Sequence, residues 1–329
     1  MLPTAELHIH IEGTLEPEML VRLAARNGVK LPTTDIDELR ARYRFTDLQA
    51  FLDLYYANLP VLRTEQDFYD LTSAYLARAA TAGVRRAEIF FDPQAHLRNG
   101  VPLEAVFAGL SGALDDADDI SADLILCFLR DLGAEAAEET FRAALPFRDR
   151  FIGVGLDSAE VGNPPGIFRD VYRMAEAEGL RRVAHAGEEG GPDYVWEALD
   201  LLGVERVDHG IRAMEDAELV ARLRDDRVAL TVCPLSNVAL RVVDKLADHV
   251  LPAMLDEGLL VCVNSDDPAY FGGYVDDNFA ALRGKLGLDE QQLATLAWNS
   301  FDACFASAEQ KARWQAEVTA SAEHGAWLV

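Results

Sequence analysis

Short apolar, β-branched segments alternate along this chain with longer segments of helical periodicity. A short apolar run bounded by turn residues is typical of a buried strand, and apolar residues three and four apart are typical of a helix. The pattern predicts eight strands: Glu6–His10, Arg86–Asp92, Asp123–Asp131, Phe151–Ser158, Arg182–Ala186, Arg206–Gly210, Val228–Pro234 and Leu260–Asp266. It predicts helices between them: Leu103–Asp118, Ala134–Leu145, Pro165–Glu178, Asp193–Leu202, Asp216–Asp225 and Asp248–Glu257.

This alternation runs through one uninterrupted chain. No Pro-rich or Ser/Gly-rich linker divides the 329 residues, so we predict a single domain over residues 1–329. Strand-then-helix units of this number predict an α/β fold, a distorted (β/α)8 TIM-type barrel. The mostly helical segment Glu16–Tyr75 predicts extra helices after the first strand. A doubly wound open sheet is the alternative, but it usually has a glycine-rich turn after its first strand, where this chain has His-Ile-Glu-Gly.

The charge balance narrows the possible partners. The chain has 30 Lys+Arg against 56 Asp+Glu, a formal net charge of −26. An acidic surface without a basic patch repels phosphate backbones, so we expect no nucleic-acid partner. Apolar runs such as Leu124–Leu129 are far shorter than the roughly 20 residues of a membrane span, and we expect no membrane partner. The composition leaves the oligomeric state open.

The cysteines indicate a reducing compartment. They are Cys127, Cys233, Cys262 and Cys304. None forms a C-x-x-C pair, and three lie inside apolar runs, which is typical of buried reduced thiols. The opening residues also lack the pattern of a secretory signal. We therefore expect a cytoplasmic protein.

Chemically capable side chains recur at the carboxyl ends of the predicted strands, where a barrel builds its active site. They are His8 and His10 on the first strand, His185 on the fifth, His209 on the sixth, and Asp266 and Asp267 on the eighth. Because residues two apart in a strand face the same side, His8 and His10 point together into the barrel. Imidazoles with a carboxylate form a mixed site that suits zinc. The clustering predicts a metal site.

Each of these residues also has a structural explanation when it is taken alone. His185 fits a hydrogen-bonded core histidine, His209 fits a turn, and Asp-Asp-Pro fits a helix N-cap. Independent structural histidines have no reason to collect at one end of one barrel, so the joint pattern favours the metal site. His96, His249 and His324 lie off the pattern, and we interpret them as structural.

Five landmarks resemble those of the adenosine/adenine deaminase family within the amidohydrolase superfamily. They are ELHIHIEGTL, HAGE, DHG, CPLSN and NSDDP, in this order from about Pro3 to about Phe305. The resemblance implies a distorted barrel with one Zn²⁺ per chain. The metal ligands that it implies are His8, His10, His185 and Asp266.

The same resemblance implies the catalytic residues, which are Glu188, His209 and Asp266. Glu188 would donate a proton to the ring nitrogen beside the amino-bearing carbon. His209 would orient and help deprotonate the metal-bound water, and Asp267 would hydrogen-bond a nitrogen of the imidazole ring of a purine. Physical chemistry supports these roles, since zinc lowers the pKa of water to about 7 and burial raises the pKa of a carboxyl. The H-x-E and P-C-x-x-C pattern of deaminases that edit nucleic acids is absent from the sequence.

Three further segments resemble the branch of the family that acts on the free base adenine: EIFFDPQAH, GLDSAE and VNSDDPAYFGGY. Glu160 stands where nucleoside deaminases usually have glycine. We hypothesise that its carboxylate accepts a hydrogen bond from an N–H that adenine carries and adenosine lacks, a loss of about 1–3 kcal/mol for adenosine. Glu12 replaces an aspartate that nucleoside deaminases present toward the sugar, and Asp157 is a third candidate for substrate binding. Ion pairing is the plain alternative for all three carboxylates.

These observations lead to a functional prediction with alternatives. We predict zinc-dependent hydrolytic deamination of adenine to hypoxanthine and ammonia in purine salvage. Alternatives on the same fold are deamination of adenosine, of an N6-substituted adenine or of another adenine nucleoside. A protein of a different class, which binds a purine without catalysis, would carry a broken site, whereas every family position that the chemistry requires is filled here.

Overall fold

The computed structural model describes residues 2–323, which contain eight strands and sixteen α-helices, besides short 3₁₀ and π segments. The strands are β1 (Thr4–His10), β2 (Val84–Phe91), β3 (Ser121–Leu129), β4 (Gly153–Asp157), β5 (Arg181–Ala186), β6 (Arg206–His209), β7 (Ala229–Val232) and β8 (Leu260–Val263). The first eight helices are α1 (Pro17–Asn27), α2 (Ile36–Ala41), α3 (Leu48–Asn58), α4 (Glu65–Thr81), α5 (Pro93–Arg98), α6 (Leu103–Asp115), α7 (Gly133–Ala144) and α8 (Arg169–Ala177). The others are α9 (Pro192–Glu197), α10 (Ala217–Asp225), α11 (Pro234–Ala239), α12 (Leu251–Asp256), α13 (Pro268–Phe271), α14 (Val275–Ala281), α15 (Glu290–Ala303) and α16 (Ala308–Glu323).

All eight strands are parallel and pair in sequence order. Just beyond β8, a single bridge between Ile9 and Asp266 joins the last unit to the first. The His10 amide donates to the Asp266 carbonyl at 3.1 Å, and the Asp266 amide donates to the His8 carbonyl at 3.0 Å. The predicted (β/α)8 barrel is thus confirmed, and the open doubly wound sheet is wrong. The bridge also places Asp266 beside both histidines of β1.

The extra helices that the segment Glu16–Tyr75 predicts are confirmed as α1 to α4 between β1 and β2. Asp47 begins α3 as its N-cap, where its carboxylate accepts the Ala50 amide. This cap matters because α3 supplies Phe51 and Tyr55 to the pocket at the carboxyl ends of the strands.

Most predicted boundaries differ from the structure by a few residues, and two of the differences bear on side chains singled out above. The helix predicted to begin at Asp248 begins at Leu251, because the Leu251 amide donates to His249 Nδ1 at 3.0 Å and this contact caps the helix. The strand predicted to reach Asp266 ends at Val263, so Asp266 belongs to the loop. His324 lies outside the described residues, and the single domain over residues 1–329 stays a prediction. Among residues 2–323, no helix is both long and apolar enough to cross a bilayer.

The amino-terminal half of the barrel interior holds a buried ion network. Arg206 donates to Glu88 Oε2 at 2.6 Å, and Arg86 donates to Glu88 Oε1 at 3.1 Å. The Phe305 amide also donates to Glu88 Oε1, at 2.6 Å. Arg206 reaches the Leu7 carbonyl at 3.1 Å, below the histidines of β1. Both oxygens of Glu88 therefore have partners, which is what a buried charge requires.

Candidate active site

Four buried side chains converge at the carboxyl ends of β1, β5 and β8: His8, His10, His185 and Asp266. Asp266 Oδ1 lies 3.4 Å from His8 Nε2 and 3.5 Å from His10 Nε2. The Nε2 atoms of His10 and His185 are 3.2 Å apart. One ligand atom from each side chain lies within 4.8 Å of all the others. The structure thus brings together the four predicted metal ligands.

A polar pair behind the metal cluster orients the His8 ring. His8 Nδ1 lies 3.0 Å from Thr231 Oγ1, which itself donates to Asp208 Oδ1 at 2.8 Å. The other oxygen of Asp208 lies 3.8 Å from His185 Nδ1. Thr231 Oγ1 donates its proton to Asp208, so it accepts the hydrogen bond from His8 Nδ1. The lone pair of His8 Nε2 therefore faces Asp266. Metal-ligating histidines need this kind of second partner. Sequence reasoning missed Thr231 and Asp208, although Asp208 stands beside His209 in the DHG landmark.

The third ring, His10, has two carboxylates behind it. His10 Nδ1 is 3.5 Å from Asp157 Oδ2, and Asp92 completes a buried cluster with them. Burial raises the pKa of Asp157 to about 7 and raises the pKa of Asp92 well above its usual value, with Asp157 as the next cause. The two carboxyls therefore share a proton more readily than they carry two charges. Sequence reasoning missed Asp92, although it directly follows β2 as the other candidates follow their strands.

The protonation states of the four clustered side chains suit the binding of a metal cation. Burial lowers the pKa of His10 to about 4 and of His185 well below its usual value, so both rings are neutral ligands at pH 7. Burial opposes protonation of His8 as well, but the Asp266 carboxylate raises its pKa overall. Burial opposes ionisation of Asp266, yet the imidazoles around it lower its pKa well below the usual value. In the described part of the chain, His8 Nε2 has no hydrogen-bond partner. Three imidazoles and one anionic carboxylate form a donor set that suits zinc.

Two of the predicted residues have left-handed backbone. His209 has φ of 63° and Asp266 has φ of 65°, a region that residues with a Cβ rarely occupy. Such strain costs about 1–3 kcal/mol and collects at functional sites. At these positions it turns the side chains at the ends of β6 and β8 toward the same centre, since His209 Nε2 lies 3.7 Å from Asp266 Oδ2.

The proposed proton donor lies beside this centre. Glu188 Oε2 is 3.5 Å from His209 Nε2, and Glu188 Oε1 has no partner among residues 2–323. Burial raises the pKa of Glu188 well above its usual value, and the Asp266 charge raises it further. Burial lowers the pKa of His209 to about 3. The pair is therefore a protonated carboxyl beside a neutral imidazole.

Asp267 lines the same pocket and is in contact with the turn after β1. Its Oδ1 has no partner among the described residues, and burial raises its pKa well above the usual value. Gly13 is required for this contact, because a Cβ there would lie 2.0 Å from Asp267 Oδ1. A protonated Asp267 offers a hydrogen bond to a ligand nitrogen, as the sequence predicts.

The structure gives Glu12 protein partners instead of a free carboxylate. Its Oε1 accepts the Asp92 amide at 3.1 Å and lies 2.7 Å from His96 Nε2. Glu12 does not line the pocket, and its Oε2 has no partner among residues 2–323, so its contact with a substrate stays a prediction. His96 is structural through this pair, as is His249, whose Nε2 lies 3.1 Å from Asn237 Oδ1. The structural interpretation of both histidines is confirmed.

Glu160 has the largest set of protein partners in this region. Its two oxygens accept backbone N–H groups from the loop after β5, and Glu160 is absent from the pocket lining. The predicted contact with a purine N–H stays a prediction, and this geometry does not favour it. The four cysteines, as predicted, are buried free thiols.

The pocket between these groups has one polar and one apolar side. The space between protein atoms here, together with the open solvent at its mouth, is about 390 Å³. The polar side consists of His10, Asp92, Asp157, Ser158, His185, Glu188, His209, Asp266 and Asp267, and the other side of Leu48, Phe51, Leu52, Tyr55, Tyr56, Leu240 and Phe271. A flat aromatic ligand with several ring nitrogens matches both sides.

Three buried imidazoles that face an anionic carboxylate at the mouth of a (β/α)8 barrel define the class of metal-dependent hydrolases. A family model described as adenosine deaminase matches residues 3–321. The chain belongs to this family, and the resemblance seen in the sequence is confirmed.

Individual relatives match over nearly the whole chain. An adenine deaminase of Streptomyces coelicolor is 64% identical over 324 residues, which cover 97% of this chain and 95% of that protein. One of Rhodospirillum rubrum is 58% identical, covering 97% and 96%. The crystal structure of an adenine deaminase from Arthrobacter aurescens superposes with a TM-score of 0.97 at 58% identity, covering 98% and 100%. An amidohydrolase from Burkholderia ambifaria, solved with bound Zn, has a TM-score of 0.89 at 30% identity, covering 99% and 92%.

Proposed function

We propose that this chain is a zinc-dependent adenine deaminase that converts adenine and water to hypoxanthine and ammonia. The observation that carries the proposal is the buried His8–His10–His185–Asp266 cluster beside a Glu188 whose pKa is raised. Relatives named adenine deaminase at 53–64% identity support adenine as the substrate. Buried free thiols support a cytoplasmic enzyme of purine salvage.

Zinc is the metal that we propose for the cluster. Three imidazoles and a carboxylate suit Zn²⁺ better than the all-oxygen sites of Mg²⁺ or Ca²⁺. A related amidohydrolase was solved with bound Zn. When bound, zinc supplies Lewis-acid chemistry that lowers the pKa of water to about 7.

The side chains around the cluster carry out proton transfer and orient the base. Glu188, protonated and desolvated, donates its proton to the ring nitrogen beside the amino-bearing carbon, which makes that carbon electrophilic. His209, neutral and 3.5 Å from Glu188, accepts a proton from the attacking water. Asp267 donates to a nitrogen of the five-membered ring and fixes the orientation of the base. Asp157 lines the same pocket and completes the polar side that receives the ring.

A direct comparison of substrates tests the proposal. Purified, zinc-loaded protein is offered adenine, adenosine and an N6-methylated adenine separately, and the change in ultraviolet absorbance is followed. We expect kcat/KM for adenine to exceed that for adenosine. Higher kcat/KM for either alternative would assign that substrate instead, and no turnover of any purine would leave a non-catalytic binding protein.

Removal of the metal tests the cofactor. A chelator that strips the protein should abolish adenine turnover, and one equivalent of Zn²⁺ per chain should restore it. Metal content is measured on the same samples by atomic emission. Turnover that persists in protein shown to be free of metal would contradict the ligand set.

A further inference from the structure

The carboxylate of Glu160 collects four consecutive backbone amides. Oε1 accepts the Gly187 amide at 2.7 Å. Oε2 accepts the amides of Glu188, Glu189 and Gly190 at 3.1, 2.7 and 2.7 Å. Glu160 is 1% exposed, so these charge-assisted bonds form away from bulk water, where they are roughly twice as strong as bonds between neutral groups. Converging amides of this kind form an anion-binding nest, and here the anion belongs to the protein itself.

The loop that supplies these amides is shaped for the carboxylate. Gly187 has φ of 74°, and a Cβ at Gly190 would lie 2.9 Å from Glu160 Oε1. Side chains at these two positions would either strain the backbone or push the carboxylate out of the nest. The nest thus explains two glycines of the HAGEEGG segment that metal binding and proton transfer do not require.

Other contacts hold the loop at both ends. Buried Arg130 donates to the His185 carbonyl at 3.0 Å, just before the nest. Arg212 donates to the Glu189 carbonyl within it. Between these points, the Glu188 side chain enters the pocket with Oε1 unpartnered within residues 2–323. The position of the Glu188 backbone therefore depends on the nest rather than on contacts of the Glu188 carboxyl.

We propose that Glu160 is a positioning residue that acts through Glu188: it fixes the backbone of residues 187–190, and so aims the proton donor, without touching the purine. The inference rests on the proposed function for the reaction that it serves. It replaces the hypothesis that Glu160 accepts an N–H of the base.

A double-mutant cycle tests this coupling. Glu160→Gln keeps the shape of the side chain but presents an NH₂ group to backbone donors. Since a misplacement of about 1 Å costs on the order of 100-fold, we expect kcat for adenine to fall by about that factor with little change in KM. In the Glu188→Gln background the same substitution should cost less than about 3-fold, because groups that act as one unit are not additive. Equal losses in both backgrounds would overturn the proposal.

A matched control separates the effect on Glu188 from the general effect of losing a carboxylate that accepts a backbone amide. Glu197, the last residue of α9, accepts the Gly166 amide at 2.8 Å and lies outside the pocket lining. Glu197→Gln should leave kcat within about 2-fold, since no contact links it to the proton donor. If kcat fell as far in Glu197→Gln as in Glu160→Gln, both carboxylates would affect turnover only through the stability of the fold. That result would overturn the proposal.

One further measurement does not depend on deaminase activity, and a second variant, Glu160→Asp, serves if the Gln variant folds poorly. Amide hydrogen exchange should show protected amides at residues 187–190 in the wild type and selective loss of that protection in Glu160→Gln or Glu160→Asp. Uniform loss of protection along the chain, or none, would contradict the nest. If the wild type turned over no adenine but showed the selective change, the proposed function would fail while the nest stood.

The two roles of Glu160 also differ in selectivity. A residue that contacts the ring N–H would change the ratio of kcat/KM for adenine to that for 9-methyladenine when it is replaced. A positioning residue lowers both values by the same factor. We expect a constant ratio, and a change of about 10-fold or more would assign Glu160 to the substrate instead.

Discussion

The two halves of the barrel interior are equally buried and charged, yet they differ in how their polar atoms are satisfied. In the amino-terminal half, both oxygens of Glu88 have partners from Arg206, Arg86 and the Phe305 amide. In the carboxyl-terminal half, polar atoms of Asp157, Glu188 and Asp267 have no partner among residues 2–323.

This difference distinguishes structure from function better than burial does. An unpartnered buried polar group costs free energy, and native proteins contain few. Unpartnered carboxyl atoms of Asp157, Glu188 and Asp267 lie around one pocket, which indicates that a ligand completes them. In the amino-terminal network, by contrast, both oxygens of Glu88 already have protein partners. The following changes test this comparison, from the largest expected effect to the smallest.

Glu188→Gln tests the carboxyl-terminal half, where carboxyl atoms lack protein partners, most directly. The amide keeps the shape of the side chain but has no proton to donate, so we expect kcat for adenine to fall by about 10²–10⁴-fold. Metal content and the midpoint of thermal unfolding should stay at the wild-type values. Glu189→Gln, one residue further on and outside the pocket lining, is the control and should retain activity. Substantial turnover in Glu188→Gln would rule this carboxyl out as the donor.

Arg206→Met tests the amino-terminal half, where both oxygens of Glu88 have protein partners. It leaves Glu88 buried without its main partner, and breaking a buried pair costs about 3–5 kcal/mol. Chemical denaturation should therefore show a large loss in the free energy of unfolding, while the folded fraction still binds metal. Arg181→Met is the matched control, because Arg181 also stacks on Phe305 but pairs with Glu205 at the surface; a surface pair contributes less than about 1 kcal/mol. Equal losses in the two variants would remove the distinction.

Gly13→Ala alters the carboxyl-terminal half of the barrel interior without removing a polar group. The new Cβ would lie 2.0 Å from Asp267 Oδ1 and 2.7 Å from Asp267 Cα, so Asp267 must move, at a cost of about 1–3 kcal/mol in overpacking. We expect adenine KM to rise and kcat/KM to fall by roughly 10-fold or more. Gly284→Ala, where a Cβ meets nothing within 4 Å, should leave both unchanged. Unaltered kinetics in Gly13→Ala would show that Asp267 does not orient the base.

The two halves should respond to opposite ends of the pH scale. Burial and the Asp266 charge raise the pKa of Glu188, so it stays protonated where an ordinary glutamate ionises. Turnover should fall about tenfold per pH unit above that raised pKa. Burial opposes ionisation of Glu88, but Arg206 and Arg86 lower its pKa overall, so its contribution to stability is present above its unfolded pKa and is lost as pH falls through its folded pKa. Separate pH profiles of kcat and of unfolding should therefore diverge; profiles that fall together would contradict the comparison.

Much of this architecture could be predicted from local pattern. Strand-then-helix alternation predicts the barrel because each parallel strand needs a crossover helix. The spacing of His8 and His10 predicts that both face inward, because side chains alternate along a strand. Asp266 was harder to place: it lies past the end of β8, and only the bridge to Ile9 brings it beside the histidines.

Carboxylates near the strand ends show where prediction from sequence stops. Glu12, Glu160 and Glu188 look alike in the sequence, since each follows a strand in a polar loop. In the fold, Glu12 pairs with His96, and Glu160 accepts four backbone amides. Glu188 alone of the three lines the pocket.

The sequence by itself determined the alternating elements, the family and the positions of the chemically capable residues, because periodicity, motif order and residue type are local properties. Tertiary structure decided which buried carboxylates have partners. Those partners come from distant parts of the chain: Arg206 for Glu88, His96 for Glu12, and the amides of residues 187–190 for Glu160. Hydrogen bonds and desolvation depend on what surrounds a group in space, so a carboxylate acquires its role only when the barrel closes.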